Sequence, residues 1–128
     1  MPQMLVDTDI LIDASRLIET ALQRLEREEK SFTLAISAIT RMELIVGCRD
    51  REELQKLNRF LRRYQTIEVN DSISGQAVKL VETYFLSHGL LIADAFVAAT
   101  AIDLDITLLT KNQRDYRFIQ GLKLLPYP

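Results

Sequence analysis

The sequence predicts an α/β fold, a three-layer α/β/α sandwich around a mainly parallel central sheet. Short apolar runs typical of buried strands alternate along the chain with longer segments of helical spacing. Strands that are joined through helices make right-handed crossovers and therefore run parallel. The 128 residues include only four glycines and three prolines, with no repeat and no linker, so we expect one domain spanning 1–128.

The first predicted strand begins at Leu5 and stops at an acid, Asp7. Ligands bind outside the carboxyl ends of the strands in open α/β sheets, so a carboxylate at this position suits a metal ligand. Aspartate is also favoured as a helix N-cap. Both interpretations stay open for Asp7 taken alone.

The next two predicted elements are a helix and a strand. Ile18, Leu22 and Leu25 recur at helical spacing, and the charged residues at 24–29 predict a solvated face. The apolar run at 32–36 then has the length and composition of a buried strand.

A helix after this strand carries the second acid of interest, Glu43. Ser37 is the expected N-cap and Gly47 the expected end of this helix. Its predicted buried stripe is Ile39, Met42 and Val46. Glu43 lies at the edge of that stripe, where a carboxylate must be paired, protonated or bound to a metal. An ion pair with a base such as Arg41 is the alternative to a metal.

The second half of the chain continues the alternation. Asp50 with Glu53 is typical of a capping box, and Asn70 or Asp71 is the expected cap of a long helix that Gly89 closes. The predicted elements are helices at 50–61, 70–89 and 92–104 and strands at 66–69, 106–109 and 122–125.

Two further acids are predicted near the sheet edge of Asp7. Asp94 lies in the first turn of an otherwise apolar helix, where it either complements the helix dipole or binds a ligand. Asp115 follows a predicted strand, and Thr110 and Asn112 add a hydroxyl and an amide that could orient a carboxylate or a water. Each residue singly could be an ordinary polar loop residue, so the prediction rests on their convergence.

Composition and charge limit the possible functions. The formal net charge of −2 argues against binding nucleic acid through overall positive charge, but not against a nucleic-acid enzyme whose acids carry a divalent metal. The one cysteine, Cys48, fits a reducing compartment. No basic-then-apolar leader and no apolar run near the ~20 residues of a spanning helix is present, so we expect a cytoplasmic protein with no membrane association. The only histidine, His88, is expected at a helix end on the surface and not in catalysis.

Three or four carboxylates that face one crevice form an all-oxygen site. Such a site suits Mg²⁺ or Mn²⁺ and not Zn²⁺. The sequence contains no Ser-His-Asp arrangement, no glycine-rich phosphate loop and no CxxC. Phosphodiester hydrolysis is the reaction that best matches clustered acids and a divalent metal.

Four segments, taken in order, resemble the PIN domain, and more narrowly the VapC-type toxins of bacterial and archaeal toxin–antitoxin pairs. They lie at 7–12, 41–47, 93–101 and 109–116 and read DTDILI, RMELIVG, ADAFVAATA and LTKNQRDY. The resemblance spans essentially the whole chain. Each motif is weak alone, but the four in this order are fairly specific.

The resemblance implies a Mg²⁺-dependent endoribonuclease, with Mn²⁺ as an expected substitute. The residues that it implies for catalysis and metal binding are Asp7, Glu43, Asp94 and Asp115, with Thr110 and Asn112 orienting the site. It also implies an RNA substrate, a homodimer and inhibition by a cognate antitoxin protein. Asp9 departs from the pattern, since many members have Asn or Ser there, and it is given no role.

A basic rim around the acids is the predicted RNA-binding surface. Bare carboxylates repel phosphate, so lysine and arginine are needed to hold the RNA backbone. The candidates are Arg41, Lys111, Arg114 and Arg117. Surface ion pairs are the alternative role for these residues.

Two other functions remain as alternatives. Asp7 and Asp9 after a first strand imitate the nucleophile motif of haloacid-dehalogenase-type phosphatases, although no later acidic pair follows Lys111. A non-catalytic PIN fold that serves as an interaction module is the second alternative. The presence of an acid at all four expected positions argues against it.

Overall fold

A four-stranded parallel sheet forms the centre of the computed structural model, which describes residues 1–128. The strands are β1 (Gln3–Val6), β2 (Thr33–Ser37), β3 (Gln65–Ile67) and β4 (Thr107–Leu109). Their spatial order is β3-β2-β1-β4, and all three pairings are parallel. Leu5 in β1 lies opposite Ala35 in β2 and Leu108 in β4.

Seven helices cover the sheet. They are α1 (Thr8–Ser15), α2 (Glu19–Glu29), α3 (Ala38–Val46), α4 (Arg51–Leu61), α5 (Asp71–His88), α6 (Ile92–Leu104) and α7 (Gln113–Tyr116). Alternate strand residues face two separate cores: Met4 and Val6 belong to the core beneath α1 to α4, and Leu5 and Leu108 to the core beneath α5 to α7. The predicted three-layer α/β/α sandwich with a parallel sheet is confirmed.

Helix boundaries follow the predicted caps. Ser37 accepts a hydrogen bond from the Ile39 amide, Asp50 from the Glu53 amide and Asn70 from the Ile73 amide. Gly89 ends α5 with φ +68°, the left-handed conformation that glycine adopts without strain.

One predicted element is wrong, and two observed helices have no predicted counterpart. The segment 122–125 forms only an isolated bridge between Leu124 and Leu108, since the Gly121 turn and Pro126 leave few residues to pair. The first strand ends before Asp7 as predicted, but helices α1 and α7 were not among the predicted helices.

Two predictions about faces are also wrong. Met42 and Val46 in α3 are 51% and 83% exposed, whereas Thr40 and Leu44 are buried. Apolar residues occupy several faces of this helix, so spacing alone selects no single stripe. Arg24, placed on a solvated face, is buried against Glu28 and the Pro126 carbonyl. No helix is both long and apolar enough to cross a membrane.

Candidate active site

Asp7 lies between β1 and α1, where it serves as the predicted N-cap and also reaches the neighbouring strand. Its Oδ1 accepts a hydrogen bond from the Thr8 amide (2.8 Å), so it is the N-cap of α1. Its Oδ2 accepts a hydrogen bond from the Thr110 hydroxyl (2.8 Å), at the end of the neighbouring strand β4. Only 6% of Asp7 is exposed. The carboxylate is therefore fixed at the carboxyl edge of the sheet.

Asp9 holds the loop that follows β4. Its Oδ2 accepts hydrogen bonds from the amides of Lys111 and Asn112 (3.0 Å each) and lies 3.2 Å from the Thr110 hydroxyl. Asp9 thus connects the start of α1 to residues 110–112 through hydrogen bonds. Thr110 is buried and donates a hydrogen bond to Asp7, whereas Asn112 contributes its backbone amide to Asp9 and not its side chain.

Asp94 and Tyr116 connect α6 to α7 beside Asp7. The Tyr116 hydroxyl donates a hydrogen bond to Asp94 Oδ1 (3.1 Å). Tyr116 also partly offsets the rise in the pKa of Asp7 that burial causes. Tyr116 is buried. It orients Asp94 and leaves Oδ2 of that carboxylate unbonded by side chains.

Glu43 reaches the same edge of the sheet from α3. The Thr8 hydroxyl donates to Glu43 Oε1 (2.7 Å) and lies 3.1 Å from the hydroxyl of the buried Thr40. Glu43 itself is exposed, so the predicted burial of this carboxylate is wrong. Its orientation comes from Thr8, the residue that Asp7 caps.

Crowding and burial raise the pKa of three carboxyl groups. The pKa of Asp7 is raised from 3.8 to about 7, first by burial and then by the charge of Asp9. Burial also raises the pKa of Asp9 and of Asp94. The charges of Asp115, Glu43 and Asp9 add to the effect on Asp94. These neighbouring charges disfavour the ionised forms of Asp7 and Asp94, an effect that a bound cation would relieve.

The donor set fits a hard divalent cation. The structure contains no group of three or more histidine, cysteine, aspartate or glutamate side chains that could hold a metal ion without other ligands. Mg²⁺ does not need such an enclosure, because it keeps several waters and binds through one or two carboxylates. Asp7 and Asp94, both held by hydroxyl groups, are oxygen ligands of the required kind. Asp115, in α7, is exposed, as is Glu43.

The four predicted RNA-binding residues divide into two pairs. Lys111 forms an ion pair with Asp13 (2.9 Å), and Arg41 donates to Thr66 and Asn58. Arg114 and Arg117 are exposed and form no side-chain ion pair. Lys111 thus has the partner that the surface-pair alternative expects, and the two arginines on the segment of Asp115 remain available for phosphate.

The family model of the PIN domain matches residues 4–120. The chain belongs to the PIN domain family. This membership confirms the resemblance and decides against the dehalogenase-type phosphatase. PIN-domain ribonucleases are metal-dependent as a class, which agrees with the oxygen-rich edge of the sheet.

Curated relatives of this PIN domain are ribonucleases. Ribonuclease VapC10 of Mycobacterium tuberculosis is 31% identical over 121 residues, which cover 94% of this chain and 90% of the relative. Ribonuclease VapC1 of Methanocaldococcus jannaschii is 32% identical over 122 residues, with 92% and 88% coverage. The more specific resemblance to VapC proteins is confirmed as well.

Two solved structures align with this chain over almost its full length. VapBC2 from Rickettsia felis, bound to a DNA fragment from its promoter, aligns with a TM-score of 0.84 at 27% identity, covering 98% of this chain and 99% of the other. A toxin–antitoxin complex from Klebsiella pneumoniae aligns with a TM-score of 0.79 at 30% identity, covering 96% of each chain.

The sequence did not reveal Thr8 and Tyr116 as parts of the site. Both hydroxyls act on acids that are distant along the chain: Thr8 and Glu43 are 35 positions apart, and Asp94 and Tyr116 are 22 positions apart. The one available signal for Tyr116 is its position directly after Asp115, where an aromatic side chain points inward from α7.

We expect Asp9 to be replaceable by asparagine but not by alanine. An asparagine oxygen can still accept from the Lys111 and Asn112 amides, whereas alanine leaves both donors without their acceptor. Because these two amides are exposed to solvent, Asp9→Ala should lower the free energy of unfolding by about 0.5–1.5 kcal/mol, and Asp9→Asn by much less. Urea unfolding in EDTA measures both. Equal losses for the two variants would show that Asp9 does not act through these hydrogen bonds.

Proposed function

We propose that this protein is a Mg²⁺-dependent endoribonuclease, the toxin of a toxin–antitoxin pair, which cuts RNA at the acidic edge of its sheet. The observation that carries the proposal is the pair of carboxylates held by hydroxyl groups, Asp7 by Thr110 and Asp94 by Tyr116, in a chain that matches the PIN family over residues 4–120. The proposed catalytic and metal-binding residues are Asp7, Glu43, Asp94 and Asp115. The whole of 1–128 acts as one nuclease domain.

Each part of the site has a chemical task in this proposal. Thr110 and Tyr116 orient the carboxylates of Asp7 and Asp94, and the unbonded Oδ2 of Asp94 can accept a proton from an attacking water. The divalent ion, with Mn²⁺ as a substitute for Mg²⁺, supplies Lewis acidity for phosphodiester hydrolysis. Arg114 and Arg117 hold the RNA backbone outside the acids.

Cleavage of RNA oligonucleotides of random sequence tests this function. The chain, purified free of any partner protein, is incubated with single-stranded RNA in Mg²⁺, in Mn²⁺ and in EDTA, and the products are sequenced. We expect internal cuts with either metal and none in EDTA. Intact RNA under all three conditions, from a protein that melts cooperatively, would favour the non-catalytic interaction module.

The proposed protein partners are a second copy of this chain and an antitoxin. The solved structures similar to this chain include a VapBC complex and a toxin–antitoxin complex. Apolar residues at the surface offer contact area that a protein partner would bury: Val46 is 83% exposed and Leu86 is 93% exposed. Light scattering at micromolar concentration should give the mass of a dimer, and a monomer mass would contradict this part. The single Cys48 fits the proposed cytoplasmic location.

Arg114→Ala is expected to weaken binding to many RNA sequences alike. Arg114 is exposed beside Asp115 without an ion pair, so its removal deletes a phosphate contact and reduces the salt slope of binding by about one. Arg62→Ala, at another exposed arginine without an ion pair, is the matched control. Fluorescence anisotropy across salt concentrations gives both slopes. Identical slopes for the two variants would place the RNA path elsewhere.

A further inference from the structure

A cavity of about 330 Å³ opens beside Asp94. The residues that define it come from the end of α5, the start of α6 and the segment around α7: His88, Leu91, Asp94, Arg114, Asp115 and Phe118. Its volume is at the lower end of the ~300–1,000 Å³ typical of small-ligand sites. The cavity therefore adjoins the proposed catalytic acids but extends beyond them, in the direction of the exposed Arg114.

An ordered group of rings forms one wall of this cavity. The rings of His88 and Phe118 are stacked, with centroids 4.1 Å apart and planes within 9° of parallel. Tyr84 packs its ring against both, at 5.2 Å from Phe118 and 5.9 Å from His88. The Ser87 hydroxyl lies 2.7 Å from His88 Nδ1. The imidazole is thus held in one orientation although it is exposed.

This stack lines the cavity with aromatic rings that are held in place. Phe118 covers one face of the imidazole, and the His88 residue remains exposed. Planar rings that are held in place are what proteins use to stack unpaired nucleobases, with little dependence on sequence. Arg114 on the same cavity supplies a charge for the phosphate of that nucleotide.

We propose that the cavity is a subsite for one unpaired nucleobase of the RNA, stacked on His88 next to the phosphate that is cut at Asp94. The subsite rests on the proposed ribonuclease function. It gives His88 a role in substrate binding, whereas the chemistry stays with the carboxylates. It also means that the enzyme requires an unpaired base at a fixed position beside the cut.

Assays that combine protein variants with RNAs lacking a single base test the subsite. An RNA oligonucleotide that the wild type cuts well is resynthesised with one abasic nucleotide at each position in turn. We expect one abasic position beside the cut to raise KM about tenfold for the wild type, as loss of one stacked base predicts. His88→Ala should raise KM for the intact RNA by a similar factor, with kcat within about twofold, and should be insensitive to that abasic position.

Further variants separate stacking from a structural role of His88. His88→Phe keeps an aromatic plane and should restore KM and the abasic sensitivity. His88→Leu keeps an apolar contact with Phe118 but offers no ring, so it should raise KM and lose the abasic sensitivity. It replaces His88→Ala as the test if the alanine variant unfolds at the assay temperature. Wild-type KM and an unchanged abasic profile in His88→Leu would overturn the subsite while leaving the ribonuclease function intact. Absence of cleavage by the wild type would instead contradict the proposed function itself.

Discussion

Asp94→Asn is expected to reduce RNA cleavage about a thousandfold or more, equivalent to about 4 kcal/mol of transition-state stabilisation. Asparagine has the shape of aspartate and can still accept the hydrogen bond from Tyr116, so the fold should persist. What is lost is the negative charge that holds a cation and accepts a proton. Steady-state cleavage of a defined RNA in saturating Mg²⁺ measures the effect.

Asp105→Asn is the matched control for this variant. Asp105 ends the same helix, α6, in a left-handed conformation that asparagine also tolerates, and its carboxylate pairs with Lys123 away from the cavity. Its cleavage rate should equal that of the wild type. A rate for Asp94→Asn within about threefold of the control would remove Asp94 from the catalytic machinery.

Asp7→Asn is expected to stabilise the metal-free protein at high pH. The pKa of Asp7 is raised from 3.8 in an unfolded chain to about 7 in the folded protein, so the fold binds more protons than the unfolded chain between these values. The contribution of Asp7 to stability is complete below pH 3.8 and is lost as pH rises through about 7. The pKa shift corresponds to a loss of about 4 kcal/mol in the free energy of unfolding at high pH. Asparagine carries no charge and avoids this loss.

Unfolding in urea at several pH values, with EDTA or with Mn²⁺, measures this effect. In EDTA the wild type should become less stable from pH 4 to pH 8, and Asp7→Asn should have a flatter profile and exceed it at pH 8. Mn²⁺ should stabilise the wild type and leave the variant nearly unchanged, because a ligand that binds only the folded state stabilises it. A variant less stable than the wild type at pH 8 in EDTA would contradict the burial of an unfavourable charge.

The sequence predicted the sheet well because its strands depend on local signals. A buried strand is a short apolar run, and the acid that ends it is visible at once, as with Asp7. Gly89 and Asn70 mark the ends of α5 through backbone conformation and capping, which also depend on neighbours in sequence. Helix α1 was not predicted, because its eight residues make only about two turns, too few for helical spacing to stand out.

Contacts between segments that are distant along the chain could not be predicted from the sequence. Lys111 and Asp13 form an ion pair across 98 positions, and nothing in the composition of either segment indicates the other. The hydroxyl groups of Thr8 and Tyr116 acquire their roles only when the helices pack. The buried face of α3 was mistaken for a similar reason: Thr40 is buried because it meets Thr8, and Met42 is exposed although it is apolar.

The most direct test of the account is the position of bound Mn²⁺ in crystals of the wild-type protein. An anomalous difference map is computed from crystals that contain Mn²⁺ at a concentration that supports RNA cleavage. We predict a peak at the carboxyl edge of the sheet, coordinated by oxygens of Asp7 and Asp94 and by waters, and no peak there in crystals of Asp94→Asn. A protein that cuts RNA with Mn²⁺ but binds the ion away from both carboxylates would contradict the central claim.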